Sequence, residues 1–219
     1  WLQHVKKLDT SRWSGIILAK LWCAQIEFKF ELISDLTMQL EKLEVEGLLT
    51  PFQSGELNYF RGLTQFWSGD LAGAQDCFED AAAAPVGMGQ VSGDIQLYLS
   101  LARLMNGDVA LAHQGLDAMQ AANGGRRGVL ASRLLAARAI LHYKAMAPHM
   151  ALKSGDSLAT LGASELGSGH ATGWGYYLQA LTLFNLGRLD EAGEVTEVAL
   201  KFTNYIEKQV GLLRTAKGT

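Results

Sequence analysis

The chain has 219 residues, 48% of them hydrophobic and 19% charged, enough apolar material for a large core in one or two domains. Its formal net charge of -3 excludes the basic footprint that binding to a DNA or RNA backbone requires. Three prolines, against a usual share of about 5%, leave long Ala- and Leu-rich stretches that favour helix over strand.

In chain order, helices are predicted near 12–29 and 31–46, 55–68 and 71–84, 93–106 and 109–122, 131–146 and 148–160, and 173–186 and 189–202, with a last fragment from about 204. One offset pattern organises them: a small residue, an Ala twelve later, a large apolar residue four later, and another packing residue three later. Gly62, Ala74, Phe78 and Ala81 form the best copy. Ser100, Ala112, Leu116, Met119 repeat it, then Ala139, Ala151, Gly155, Leu158, then Ala180, Ala192, Thr196, Ala199, with a weaker Ala24, Leu36, Leu40, Leu43 before them. The first members stand 38, 38, 39 and 41 residues apart.

A small residue on the first helix of a hairpin admits the second helix, and positions three and four apart share one helix face. Turn signals fall between the paired helices at Gly69-Asp70, Gly107-Asp108 and Gly187-Arg188, because Gly takes the left-handed conformation that ends a helix. In the fourth pair Ala147-Pro148 takes that place, since Pro opens a helix without losing a hydrogen bond. Two-residue links imply antiparallel neighbours. The longer connectors, 47–54, 85–92, 123–128 and 162–172, carry Gly and Ser without the length of an interdomain linker. One all-α domain over 1–219 is expected, with hairpins near 12–46, 55–84, 93–122, 131–160 and 173–202.

No catalytic constellation appears, so the chain is not expected to be an enzyme. Cys23 and Cys77 show neither Cys-x-x-Cys spacing nor a neighbouring His cluster, which points to a reducing compartment and no metal. The histidines His4, His113, His142, His149 and His170 include no His-Glu-x-x-His. Two glycine-rich segments, 124–128 with Arg126 and Arg127 and 167–173 with His170, have the composition of an anion cradle, but each reads foremost as a solvated connector. No apolar run reaches the length of about 18 residues that spans a bilayer. The chain opens at Trp1 rather than Met, and is expected to be a piece of a longer polypeptide.

Aromatic residues on the first helices carry the binding expectation, because in a solenoid those helices line the concave groove. The repeat register places Tyr59, Leu63, Phe66 and Trp67 on that face, then Leu97, Leu101 and Met105, then Trp174, Tyr177, Leu181 and Phe184. Tyr59, Phe66, Trp67, Trp174, Tyr177 and Phe184 are the candidate ligand- or partner-binding residues, since Trp and Tyr rings combine contact area with a polar tip. The same spacing also describes a core stripe. Arg103, Arg133, Arg138 and Lys144 are either handles for an anionic ligand or solvated charges.

The stretch from Gly62 through Gly69-Asp70, Ala74, Phe78, Ala81 and Pro85 resembles a tetratricopeptide repeat, and Gly187-Arg188-Leu189-Asp190-Glu191-Ala192 resembles that family's turn and second-helix signature. The period exceeds the usual length of about 34 residues. It is similar instead to the superhelical sensor segment of MalT-like, LuxR-type ATP-dependent transcription activators, as are Trp1-Leu2 and the stretch from Gly173-Trp174-Gly175-Tyr176-Tyr177 to Tyr205. This resemblance implies a right-handed superhelix of about five antiparallel hairpins in a cytoplasmic regulator. Its groove takes a small-molecule inducer or a regulatory protein, and it has no cofactor of its own. A nucleotide-binding module upstream and a helix-turn-helix downstream are implied, neither of which has its motif in this chain. The alternatives are a general tetratricopeptide interaction scaffold unrelated to transcription and an unrecognised helical enzyme. Nothing in the sequence speaks to oligomeric state.

Overall fold

Thr50 decides where the third helix begins. Its hydroxyl accepts the backbone N–H of Gln53 at 3.3 Å while the Gln53 side chain accepts the N–H of Thr50 at 3.0 Å, and Pro51 takes the first helical position. This reciprocal cap satisfies two donors that a helix start leaves orphaned. The helix therefore starts at Pro51, four residues before the predicted 55.

The computed structural model describes residues 2–26, 29–85, 90–124, 128–166 and 169–202. Among them are ten α-helices and no strand: α1 (Leu2–Ile26), α2 (Phe30–Val45), α3 (Pro51–Ser68), α4 (Leu71–Ala83), α5 (Gln90–Met105), α6 (Val109–Asn123), α7 (Val129–Lys144), α8 (Pro148–Leu161), α9 (Gly169–Asn185) and α10 (Leu189–Leu200). Each predicted helix has its counterpart. The largest difference is α1, which begins at Leu2 rather than 12. A π-helical turn, Gly162–Leu166, continues α8 into what was expected to be connector. The fragment from 204, with Tyr205, and the loop residues 125–127 and 167–168 lie outside the described residues.

The turns after α3, α5, α7 and α9 share one construction. A residue with positive φ closes the helix, and the next N–H returns to a carbonyl five residues back: Asp70 to Gln65, Asp108 to Arg103, Ala147 to His142 and Arg188 to Leu183. Gly69, Gly107 and Gly187 hold that position at φ +92°, +95° and +73°, but after α7 it is held by Met146 at φ +56°. A side chain in this conformation costs roughly 1–2 kcal/mol that glycine does not incur. The expected turn residues Ala147-Pro148 follow it, with Pro148 opening α8.

The chain falls into two compact units, Trp1–Ala102 and Arg103–Thr219. In the first, α1 packs on α2 and α3, α2 on α3, and α3 on α4. Its core joins Ile17 and Leu21 of α1, Ile33 and Leu40 of α2, Leu57, Tyr59, Phe60 and Leu63 of α3, Phe78 of α4, and Ile95 and Leu99 of α5. Gly62 is small for a reason: a Cβ there would stand 2.6 Å from the Phe78 ring. Across α2 and α3, Arg61 donates to Glu41 at 2.9 Å and to Glu44 at 2.7 Å.

In the second unit α6 packs on α7, α7 on α8 and α9, α8 on α9, and α9 on α10. His113 near the start of α6 meets His142 near the end of α7, ring centroids 6.1 Å apart, and one turn along Asp117 pairs with Arg138 at 2.6 Å, so α6 and α7 run antiparallel. The Asn185 side chain donates to the Tyr143 hydroxyl, which sets the C-terminal ends of α7 and α9 side by side. Across both units the repeat offsets read from the sequence are buried at every position except Leu43, which is half-buried, and Thr196, which is exposed.

Candidate binding surfaces

In the first unit the predicted aromatics divide. Tyr59 has 0% exposure. Its ring stacks on Trp22 at 5.3 Å and meets Phe78 and Tyr98 at 6.0 and 6.1 Å, while its hydroxyl accepts Gln25 Nε2 at 2.6 Å. A ring sealed on all sides offers a ligand no area, so Tyr59 belongs to the core. Phe66 and Trp67 are half-buried, edge to face at 5.4 Å, with Phe30 5.2 Å from Trp67 and Tyr98 5.9 Å from Phe66. These four rings form a partly exposed aromatic group carried by α2, α3 and α5. Leu63 and Leu97 are buried, Leu101 is half-buried and Met105 is exposed.

Between α1 and α3 lies a polar ladder that the repeat pattern does not single out. Gln53 Nε2 donates to Ser14 at 2.7 Å, Trp22 Nε1 donates to Glu56 at 3.0 Å, and Gln25 reaches Tyr59. Glu56 is buried, and loss of solvent pushes its carboxyl above the ordinary range despite the opposing hydrogen bond from Trp22. The Trp22–Glu56 and Gln25–Tyr59 pairs share a spacing of 34, a constant offset that could have flagged two helices in parallel register.

In the second unit the predicted α9 residues form a graded stripe. Trp174 and Tyr177 meet edge to face at 5.5 Å and rest half-buried on Ala139, Leu158, Ala171 and Leu178. Leu181 is half-buried, and Phe184, one turn further, is 62% exposed. Beside the stripe α7 contributes Ile140 to the same cluster and Tyr143, hydrogen-bonded to Asn185. Burial, helped by Tyr143, raises the Tyr177 hydroxyl pKa, which keeps it a neutral donor. Here apolar rings and neutral hydroxyl and amide groups share one α7–α9 face, the composition of a site that takes an apolar body and fixes it with a few polar contacts.

The expected cationic handles fare differently. Arg138 is committed to Asp117 and holds that carboxyl below its ordinary range, Lys144 is exposed, and Arg103 and Arg133 are half-buried. His142 Nδ1 shares a hydrogen bond with Ser154 Oγ at 3.2 Å, and burial, with His113 and Arg138 adding to it, lowers its pKa. His149 is exposed, while the side chains of His4 and His170, with Arg126 and Arg127, lie outside the described residues. Both thiols are free, and burial raises that of Cys77. Among the described residues no three His, Cys, Asp or Glu side chains converge as metal ligands, and no helix is long and apolar enough to cross a membrane.

A separate open depression of about 410 Å³ lies between α8, α9 and α10, lined by Lys153, Asp156, Gln179, Arg188 and Glu191 among others. Gln179 Nε2 is buried without a partner among the described residues, and Arg188 is ion-paired with Glu191. None of the six predicted aromatics lines it. No family model matches this chain, and neither a curated protein nor a solved structure is similar to it at a significant level.

Proposed function

We propose that this chain is a tetratricopeptide-like sensor segment of a MalT-like, LuxR-type transcription regulator, a right-handed superhelix of about five hairpins that binds a small-molecule inducer or a regulatory protein on its first helices. The observation that carries the reading is the half-exposed Trp174–Tyr177 pair on α9, set beside the Tyr143–Asn185 hydrogen bond of the same first-helix face. Exposed apolar rings next to neutral polar groups are costly to leave in water and favourable to cover. The buried repeat offsets and the recurring turn construction support the repeat architecture.

Two measurements test it. The complete reading frame should encode a nucleotide-binding module before this segment and a helix-turn-helix after it; their absence sinks the regulator reading and leaves the interaction scaffold. A thermal-shift screen of small metabolites on the chain should then find a ligand whose stabilisation is lost in Trp174→Ala. Stabilisation that survives in Trp174→Ala and Tyr177→Ala removes this face from consideration.

A further inference from the structure

Turns that close a helix pair sit on the rim of a helical array, and in the second unit two of them lie together. The Asn185–Tyr143 hydrogen bond brings the α7–α8 turn beside the α9–α10 turn. There the apolar side chains face water: Met146, Met150, Leu186 and Leu189 are between 41% and 85% exposed, and the patch continues into Phe184. At these exposures the five put on the order of 500 Å² of apolar surface in water, near the upper range of a single patch on a monomer. One partner of a standard interface gives ~800 Å², so a polar rim around the patch has to supply the remainder.

Met146 supplies an independent signal. It is the most exposed of the five, yet it holds the left-handed position that Gly69, Gly107 and Gly187 hold in the sister turns. The left-handed conformation closes α7, but the exposed methionine side chain adds nothing there that glycine lacks within the fold, and strain of this kind clusters at functional sites.

The charges choose the occupant. Beside Met146 stands exposed Lys144, and beside Leu189 stands exposed Asp190; neither is ion-paired among the described residues. Arg188 and Glu191 neutralise each other. The two adjacent turns thus carry opposite unpaired charges around one apolar patch. A surface of this kind is complementary to itself: a two-fold axis between the turns sets each Lys144 against the other copy's acidic turn and apolar side chains against apolar side chains. We propose that this edge is an isologous self-association surface whose occupant is a second copy of the chain, with Met146 and Leu189 at its centre and Lys144 facing Asp190 across the axis. The patch shares Phe184 and the Tyr143–Asn185 pair with the end of the α7–α9 face, while Trp174 and Tyr177 lie outside it.

Sedimentation velocity on the 219-residue chain, from roughly 1 to 200 µM, should show a monomer–dimer equilibrium. Met146→Gly restores the residue of the sister turns, so it should raise the unfolding midpoint of the dilute chain while weakening dimerisation at least about tenfold. Leu189→Glu should weaken it similarly. Lys144→Glu and Asp190→Lys should each weaken it several-fold, and the double swap should recover affinity to within about threefold of the original. The proposal is overturned by a monomer at every concentration, by a dimer indifferent to Met146→Gly and Leu189→Glu, by a double swap that fails to recover, or by a Met146→Gly chain that is less stable. Association with anionic vesicles in place of a dimer would likewise overturn it.

Discussion

Gly155 and Gly175 meet across the α8–α9 crossing so closely that a Cβ on Gly175 would stand 2.6 Å from the Gly155 carbonyl oxygen. The obstacle is backbone, which cannot rotate away as a side chain can. Gly175→Ala should therefore destabilise the chain by about 1–3 kcal/mol or more in urea unfolding. Gly193 of α10 is the internal control: nothing lies within 4 Å of its Cβ position, so Gly193→Ala should gain up to ~1 kcal/mol. Equal effects would mean that the crossing is looser than described.

Glu56 sets a pH dependence in the first unit. Its folded pKa lies above the ordinary 4.5, so the carboxyl favours folding below pH 4.5, and that contribution is lost as pH rises through the folded value. Glu56→Gln keeps an acceptor for Trp22 Nε1 and removes the buried charge. It should raise the thermal midpoint at neutral pH and lose that advantage near pH 4.5. A variant that is less stable at neutral pH would show the carboxylate to be better satisfied than its single hydrogen bond implies.

His142 works in the opposite direction. Its folded pKa lies below the ordinary 6.5, so neutral His142 contributes stability above pH 6.5 that is lost as pH falls toward the folded value. The groups facing it are His113 from α6, Arg138 from its own helix, and Ser154 and the Met150 backbone from α8; α9 carries no Asp, Glu, Lys or Arg. His142→Asn should flatten the loss of stability between about pH 7 and 5. A profile that His142→Asn leaves unchanged assigns the acid sensitivity elsewhere.

Tyr59 and Trp174 lie on the first helices of their hairpins, three and six residues before the small residues Gly62 and Ala180, and should respond differently to truncation. Tyr59→Ala removes a fully enclosed ring and should cost about 3–5 kcal/mol, as other large aromatic deletions in cores do. Trp174→Ala should cost clearly less, and its indole should be open to a neutral quencher. A shielded indole together with a Tyr59-sized loss of stability would make the α9 stripe core.

The helices and packing offsets were legible because helix geometry depends on local spacing: Gly62, Ala74 and Phe78 must meet whatever lies around them. Thr50-Pro51-x-Gln53 carries the capping signature that starts α3, while the glycine and serine content of 47–54 points to connector. What spacing cannot reveal is which ring a neighbouring helix covers. Trp22 and Phe78 enclose Tyr59 and set it apart from Phe66 and Trp67, contacts that depend on how α1 and α4 lean on α3. Met146 was hidden for a different reason: the residue types signalled a turn at Ala147-Pro148, and a methionine at positive φ runs against its own propensity.

The Arg61 fork also limits how this chain can change in length. Its two acceptors, Glu41 and Glu44, lie one helical turn apart on α2, while Leu36 and Leu40 of the same helix are buried in the core. Inserting or deleting a single residue between Leu40 and Glu41 would swing both carboxylates about 100° around the helix axis while the apolar anchors stayed in place. Insertions and deletions are therefore expected to be tolerated better in the link at 46–49, ahead of the Thr50 cap, than in the second half of α2.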